Sequence, residues 1–101
     1  MEWLWTWGGE CFGYRDNDEL WTHDGRHVGH FFGDEVYGND GRYMGEVMSE
    51  NRLITNVSKK GYTQAVYAPY GNRAGFVRYA NYVGFVMYAG HEDFPRPTEI
   101  K

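Results

Sequence analysis

Apolar and aromatic residues recur along the chain in short alternating stretches, broken by glycine or by Asn/Asp clusters, and the breaks themselves recur. Leu4-Trp5-Thr6-Trp7-Gly8-Gly9-Glu10-Cys11-Phe12-Gly13 stands 16 residues ahead of Leu20-Trp21-Thr22-His23-Asp24-Gly25-Arg26-His27-Val28-Gly29. That unit stands 16 ahead of Val36-Tyr37-Gly38-Asn39-Asp40-Gly41-Arg42-Tyr43-Met44-Gly45. A further copy reads Val66-Tyr67-Ala68-Pro69-Tyr70-Gly71-Asn72-Arg73-Ala74-Gly75. Each unit is aliphatic, aromatic, three residues, glycine, three residues, glycine. Leu53-Ile54-Thr55 opens a lengthened unit whose two glycine positions fall to Gly61 and Ala65, and Asn81–Val86 keeps only a second half. Self-similarity at a short fixed period marks a repeat architecture.

Each unit predicts a β-hairpin. Asp24-Gly25 and Asn39-Asp40-Gly41 are the pairs that tight hairpin turns favour, because Gly and Asn tolerate positive φ. The reading places turns at Gly8-Gly9, Asp24-Gly25, Asp40-Gly41 and Gly71-Asn72. Asp16-Asn17-Asp18, Gly33-Asp34 and Ser49-Glu50-Asn51 join one unit to the next. No window has a helical period, and each internal glycine would cost a helix about 1 kcal/mol. The second glycine of each unit (Gly13, Gly29, Gly45, Gly75, Gly84) falls mid-strand, where it makes room for a neighbouring backbone or an aromatic ring, or lines a ligand cleft. One hairpin is marginal in water, so the units must pack together, and radial packing about a pseudo-symmetry axis leaves the fewest open edges. The expected fold is all-β and flower- or propeller-like: residues 1–90 as one domain and 91–101 as an extended tail pinned by Phe94.

The runs Asp24–Gly29 and Val36–Gly45 resemble the repeat of the bacterial "4-fold beta flower" proteins: a Val-Tyr-Asp strand end, a turn, Gly-Arg-His-Val-Gly, then an aromatic. The resemblance covers residues 3 to 56 closely and 57 to 90 loosely. It implies hairpin petals about a pseudo-four-fold axis and brings no catalytic residues with it. The lengthened fourth unit and the Tyr-rich second half depart from the family pattern.

Composition sharpens this picture at three points. Aromatics make up 19% of the 101 residues and glycine 14 positions, against 3 prolines, which suits many short strands. The net charge of −4 argues against general capture of nucleic acid or anionic membrane, since phosphate neutralisation needs clustered Lys and Arg. Cys11 is the single cysteine, so no intrachain disulfide forms and a reducing, cytoplasmic compartment is the simpler expectation. No signal-peptide pattern opens the sequence, and no apolar run nears the ~20 residues that span a bilayer.

Candidate chemistry is thin. His23, His27 and His30 lie close in sequence beside Asp24, Asp34 and Glu35, a set that invites a metal. Strand alternation puts His27 and His30 on opposite faces, however, and the equivalent positions in other units form no ligand set. No metal and no cofactor are therefore expected. Cys11 reads as a small buried hydrophobe, and no glycine-rich loop opens a helix to cradle phosphate. Nothing marks a catalytic residue. Arginines among aromatics are the composition of an interface hot spot or of a pocket that stacks a planar ligand. The candidate ligand-binding residues are Arg26, Arg42, Tyr43, Arg73, Arg78 and Tyr79; the candidate interface residues are Trp3, Trp5, Tyr82, Phe85 and Tyr88. The expected function is a non-enzymatic binding or interaction module, homo-oligomeric, holding a small planar or anionic, nucleotide-like ligand. A small hydrolase built from turn carboxylates and histidines, or a purely structural partner-binding domain, are the alternatives.

Overall fold

The computed structural model describes residues 1–100 and is all-β. Eight strands follow one another: β1 (Glu2–Thr6), β2 (Cys11–Asp16), β3 (Glu19–Thr22), β4 (His27–Phe32), β5 (Glu35–Tyr37), β6 (Tyr43–Met48), β7 (Arg52–Asn56) and β8 (His91–Asp93). Each pairs antiparallel with the next in one continuous sheet. The sheet closes on itself where β1 runs parallel to β7, through Trp5↔Arg52 and Thr6↔Leu53. The far half of the same β7 edge is taken by β8, through Ile54↔Asp93, Thr55↔Glu92 and Asn56↔His91. Strands β1 to β7 therefore close into a seven-stranded barrel, β8 completes a fourth hairpin beside it on the remaining half of the β7 edge, and closure covers edges that separate hairpins would leave open.

The repeat explains the core. Leu4, Leu20, Val36 and Leu53, the aliphatic residue that opens each of the four units, meet in one buried cluster with Phe12, Phe31 and Phe94. Pleating sends the next residue of each strand to the opposite face, so Trp5, Trp21 and Tyr37 point away from the axis. The mid-strand glycines serve close packing: a Cβ on Gly45 would lie 2.6 Å from the Phe94 ring.

Three of the four predicted turns are present, at Gly8-Gly9, Asp24-Gly25 and Asp40-Gly41, with positive φ at Gly9, Gly25 and Gly41. The fourth is not. Gly71 has no positive φ, and residues 64–88 contain no strand. The fourth hairpin is β7–β8, and residues 57–90 replace its tight turn. They begin with a 3-10 turn at Val57–Lys59 and continue as a long irregular segment. The match at Val66–Gly75 arose because this segment has a shorter repeat of its own. Tyr70-Gly71-Asn72-Arg73-Ala74-Gly75-Phe76-Val77 recurs nine residues on as Tyr79-Ala80-Asn81-Tyr82-Val83-Gly84-Phe85-Val86. Pro69, which has no N–H to give a ladder, also disfavours a strand there.

The tail is likewise more integrated than its composition suggests. Residues 91–93 are a strand of the sheet, Phe94 is a core residue packed on Phe12 at 5.2 Å, and Arg26 donates to the carbonyls of Pro97 and Ile100. Among the described residues no helix is long and apolar enough to cross a membrane.

Candidate functional site: the strap across the hairpin tips

Residues 61–88 form a strap that crosses the tips of the first three hairpins in reverse order. Its nine-residue period meets their sixteen-residue period one unit at a time. The amides of Gln64, Arg73 and Tyr82 donate to the carbonyls of Gly41, Gly25 and Gly9 at 2.8, 2.7 and 2.8 Å. Three residues further on in each repeat, Tyr67, Phe76 and Phe85 donate to Asn39, His23 and Trp7 at 3.2, 2.7 and 3.0 Å. The contact is close enough to constrain the turns. Gly25 holds φ 92°, and a Cβ there would run into the Arg73 carbonyl; Gly9 and Gly41 stand the same way against Tyr82 and Gln64.

Side chains complete the docking. Tyr82 stacks on Trp5 at 4.1 Å with the rings 17° apart, Tyr79 meets Trp3 edge-on at 4.8 Å, and Phe85 and Tyr88 pack on Trp7. The Trp5 and Trp7 indole N–H groups donate to Ala80 and Val86 carbonyls, both at 3.0 Å. Arg52 is buried and faces carbonyls and rings: it donates to Trp7 and Val83 carbonyls and lies 4.1 Å over Phe85. The five candidate interface residues thus lie along one contact within the chain: Trp5 meets Tyr82, Trp3 meets the candidate ligand residue Tyr79, and Phe85 and Tyr88 meet Trp7.

The outer side of the strap is of a different kind. The positions that follow the hydrogen-bonded ones are Ala65, Ala68, Ala74, Val77, Val83 and Val86, all exposed, with Val77, Val83 and Val86 at 95, 86 and 89%. Residues 61–90 carry Arg73 and Arg78 and no carboxylate.

The candidate ligand residues do not share one pocket. Arg26 is committed to the tail. Tyr43 is buried, its hydroxyl donating to Glu46 and accepting from the Asn56 amide; burial, then that carboxylate, push its pKa far up. Arg42 and Tyr43 border an open cavity of about 620 Å³ between the third hairpin and the tail. Tyr79 lines a groove of about 410 Å³ with Trp3, Trp5 and Tyr82. Arg73 alone lines a cavity of about 550 Å³ on the second hairpin, and Arg78 borders none of these three.

His27 and His30 overturn the alternation argument. Both rings reach Glu19, His30 Nδ1 at 2.8 Å and His27 Nε2 at 3.4 Å. The pairing of β3 with β4 shifts register between Leu20 and Trp21, and such a bulge resets which face later residues share. His27 Nδ1 accepts the Tyr70 amide at 2.9 Å, so its Nε2 carries the proton and points to the Gly29 carbonyl at 3.0 Å. That tautomer makes His27 a bracket for the strap. Among the described residues no group of three or more His, Cys, Asp and Glu is arranged to hold a metal. Cys11 is fully buried, and burial raises its thiol pKa.

Sequence reasoning missed the strap because its period was absorbed into the longer one. The spacing of Tyr70, Tyr79 and Tyr88, and of Gly75-Phe76 and Gly84-Phe85, was the signal that would have found it. Comparison with protein-family models, with curated proteins and with solved structures gave no match.

Proposed function

We propose that this chain is a non-enzymatic interaction module that self-associates through the outer face of its strap. The observation that carries the reading is the set Ala65, Ala68, Ala74, Val77, Val83 and Val86: the six positions that directly follow the strap's hydrogen-bonded amides, all exposed and all aliphatic. Solvent-facing positions of an extended segment are ordinarily polar, and apolar side chains repeated at equivalent exposed positions mark a contact. The strap backbone is hydrogen-bonded to the barrel at intervals, which leaves an edge for another chain to pair with. A second copy suits this face. It brings the same small side chains in the same nine-residue spacing, and a two-fold contact buries both sets at once. Half-exposed Phe76, Tyr79, Tyr82, Phe85 and Tyr88 supply the aromatic area that interface cores favour. The four hairpins also support the resemblance to the beta flower proteins, which we extend as a proposal to the whole chain.

Sedimentation at micromolar concentration tests the reading. The wild-type chain is expected to sediment as a dimer, and Val77→Glu with Val86→Glu as a monomer with an unchanged fold. A single wild-type species near 11.8 kDa would overturn it.

A further inference from the structure

The first and second hairpins meet the strap through equivalent positions, and the second meeting is incomplete. Trp5 and Trp21 occupy the same place in the repeat. Trp5 donates its indole N–H to Ala80, and the Asn81 side chain accepts the Cys11 amide at 3.1 Å. Nine residues earlier in the strap, the corresponding carbonyl is that of Gly71 and the corresponding side chain is Asn72. Neither bond is made, and nothing lies within 4 Å of where a Gly71 Cβ would sit. Trp21 is 1% exposed, yet its Nε1–H has no partner among the described residues. The strap is held here through the Tyr70, Arg73 and Phe76 amides, and beside it lies the 550 Å³ cavity, which Trp21, Tyr70, Gly71 and Arg73 border. Position also explains the room: Glu19 stands where the first hairpin has the bulky Trp3, and Arg73 where the strap elsewhere has Tyr82.

We propose that this gap is a binding site for a planar heterocycle of the guanine class, one that presents adjacent N–H donors beside a ring carbonyl. Two groups beside the gap call for that edge, the unpartnered Trp21 N–H and the Glu19 carboxylate, whose two oxygens share the His30 Nδ1 contact and keep further lone pairs. Trp21 N–H needs an acceptor, a buried donor left alone being costly. The Glu19 carboxylate, oriented by His30, accepts paired donors, as carboxylates do from planar forked groups. Arg73 shows that this wall takes such an edge: its guanidinium lies 3.8 Å over the Trp21 ring and 2.9 Å from Asp16. Tyr70, more than half exposed, offers a stacking face at the mouth. The volume is within the range that small-molecule sites occupy. Asp16, Asp18 and Glu19 line the rim, so the site takes the base or nucleoside in preference to an anionic nucleotide.

The test is titration of the ¹⁵N-labelled full chain with guanosine, read on the indole N–H resonances. The Trp21 signal should move saturably while the Trp5 and Trp7 signals, already bonded, stay in place. Glu19→Gln should weaken binding tenfold or more, and guanosine monophosphate should bind more weakly than guanosine. Agmatine, which carries the donor edge without the carbonyl, should leave the Trp21 signal in place. Trp21→Phe should stay folded at the temperature of the titration and bind guanosine less well. No saturable shift of the Trp21 signal, an equal response in Glu19→Gln, or tighter binding of the monophosphate would overturn the proposal. The site is independent of the self-association face, so either can fail while the other stands.

Discussion

The barrel and the strap are both repeats, but they are held by different physics. In the barrel each hairpin pairs through ladder hydrogen bonds and sends one aliphatic residue to a common axis, so Leu4, Leu20, Val36 and Leu53 support one another. The strap has no ladder. It is fastened by seven backbone hydrogen bonds, six donated by the strap and one accepted at Tyr62, and by rings that lie on the barrel and stay about half exposed. Free energy of opening differs across a structure according to such contacts. The barrel should therefore open only with global unfolding, and the strap locally and more often. Repetition alone does not confer equal stability; closure around a core does.

The difference can be broken most severely from inside the barrel. Phe94→Ala removes a ring that the first and third hairpins both touch, and should cost about 3–5 kcal/mol, lowering the denaturant midpoint for every probe together. A loss confined to the amides of residues 91–100 would show instead that Phe94 serves only the tail.

Gly25→Val attacks the joint between the two regions. It places a β-branched residue at φ 92° and drives a side chain into the Arg73 carbonyl, so it should destabilise by about 1–3 kcal/mol. Hydrogen exchange should speed up first at the Arg73 and Phe76 amides, whose acceptors lie in that turn.

The Lys59 cluster sharpens the comparison at the strap's root. Lys59 reaches Glu35 at 2.8 Å and Glu46 at 3.0 Å, which raises its own pKa and lowers that of Glu35. A lowered carboxylate stabilises the fold above its unfolded value near ~4 and loses that as pH falls through the folded value; a raised lysine stabilises below ~10 and loses it as pH rises. Lys59→Met should cost about 1 kcal/mol at neutral pH, and melting curves of variant and wild type should converge in acid below pH ~4.

The smallest effect is the most discriminating. Trp5→Phe and Trp21→Phe both shrink a buried ring, but only the first also removes a hydrogen bond to the strap, so it should cost about 1 kcal/mol more than the second. Equal losses would show that the second hairpin is as well fastened as the first.

Much of the barrel was legible because its signals are local. Asp24-Gly25 and Asp40-Gly41 specify turns through the φ that glycine allows, and the sixteen-residue spacing of Leu4, Leu20 and Val36 reports the shared axis. The fourth hairpin was not legible, since its partner β8 lies beyond the strap and pairing at that separation leaves no local pattern. The site residues were legible by type and not by role. Arg73 stands beside the cavity because the strap brings it back over Trp21, whereas Arg26, identical in chemistry, is spent on the tail.

The sequence by itself determined the all-β class and the three tight turns, because turn geometry and strand alternation act over a few residues; that Leu53 and not Val66 joins Leu4, Leu20 and Val36 on the axis was decided by the tertiary structure. Only the tertiary structure decided what the surplus aromatics do. Trp3, Trp5 and Trp7 meet partners more than seventy residues away, and no spacing rule within one strand encodes which distant segment will cover its outer face. The same holds for the gap at Trp21: an unmade hydrogen bond exists only once both halves of the contact are in place.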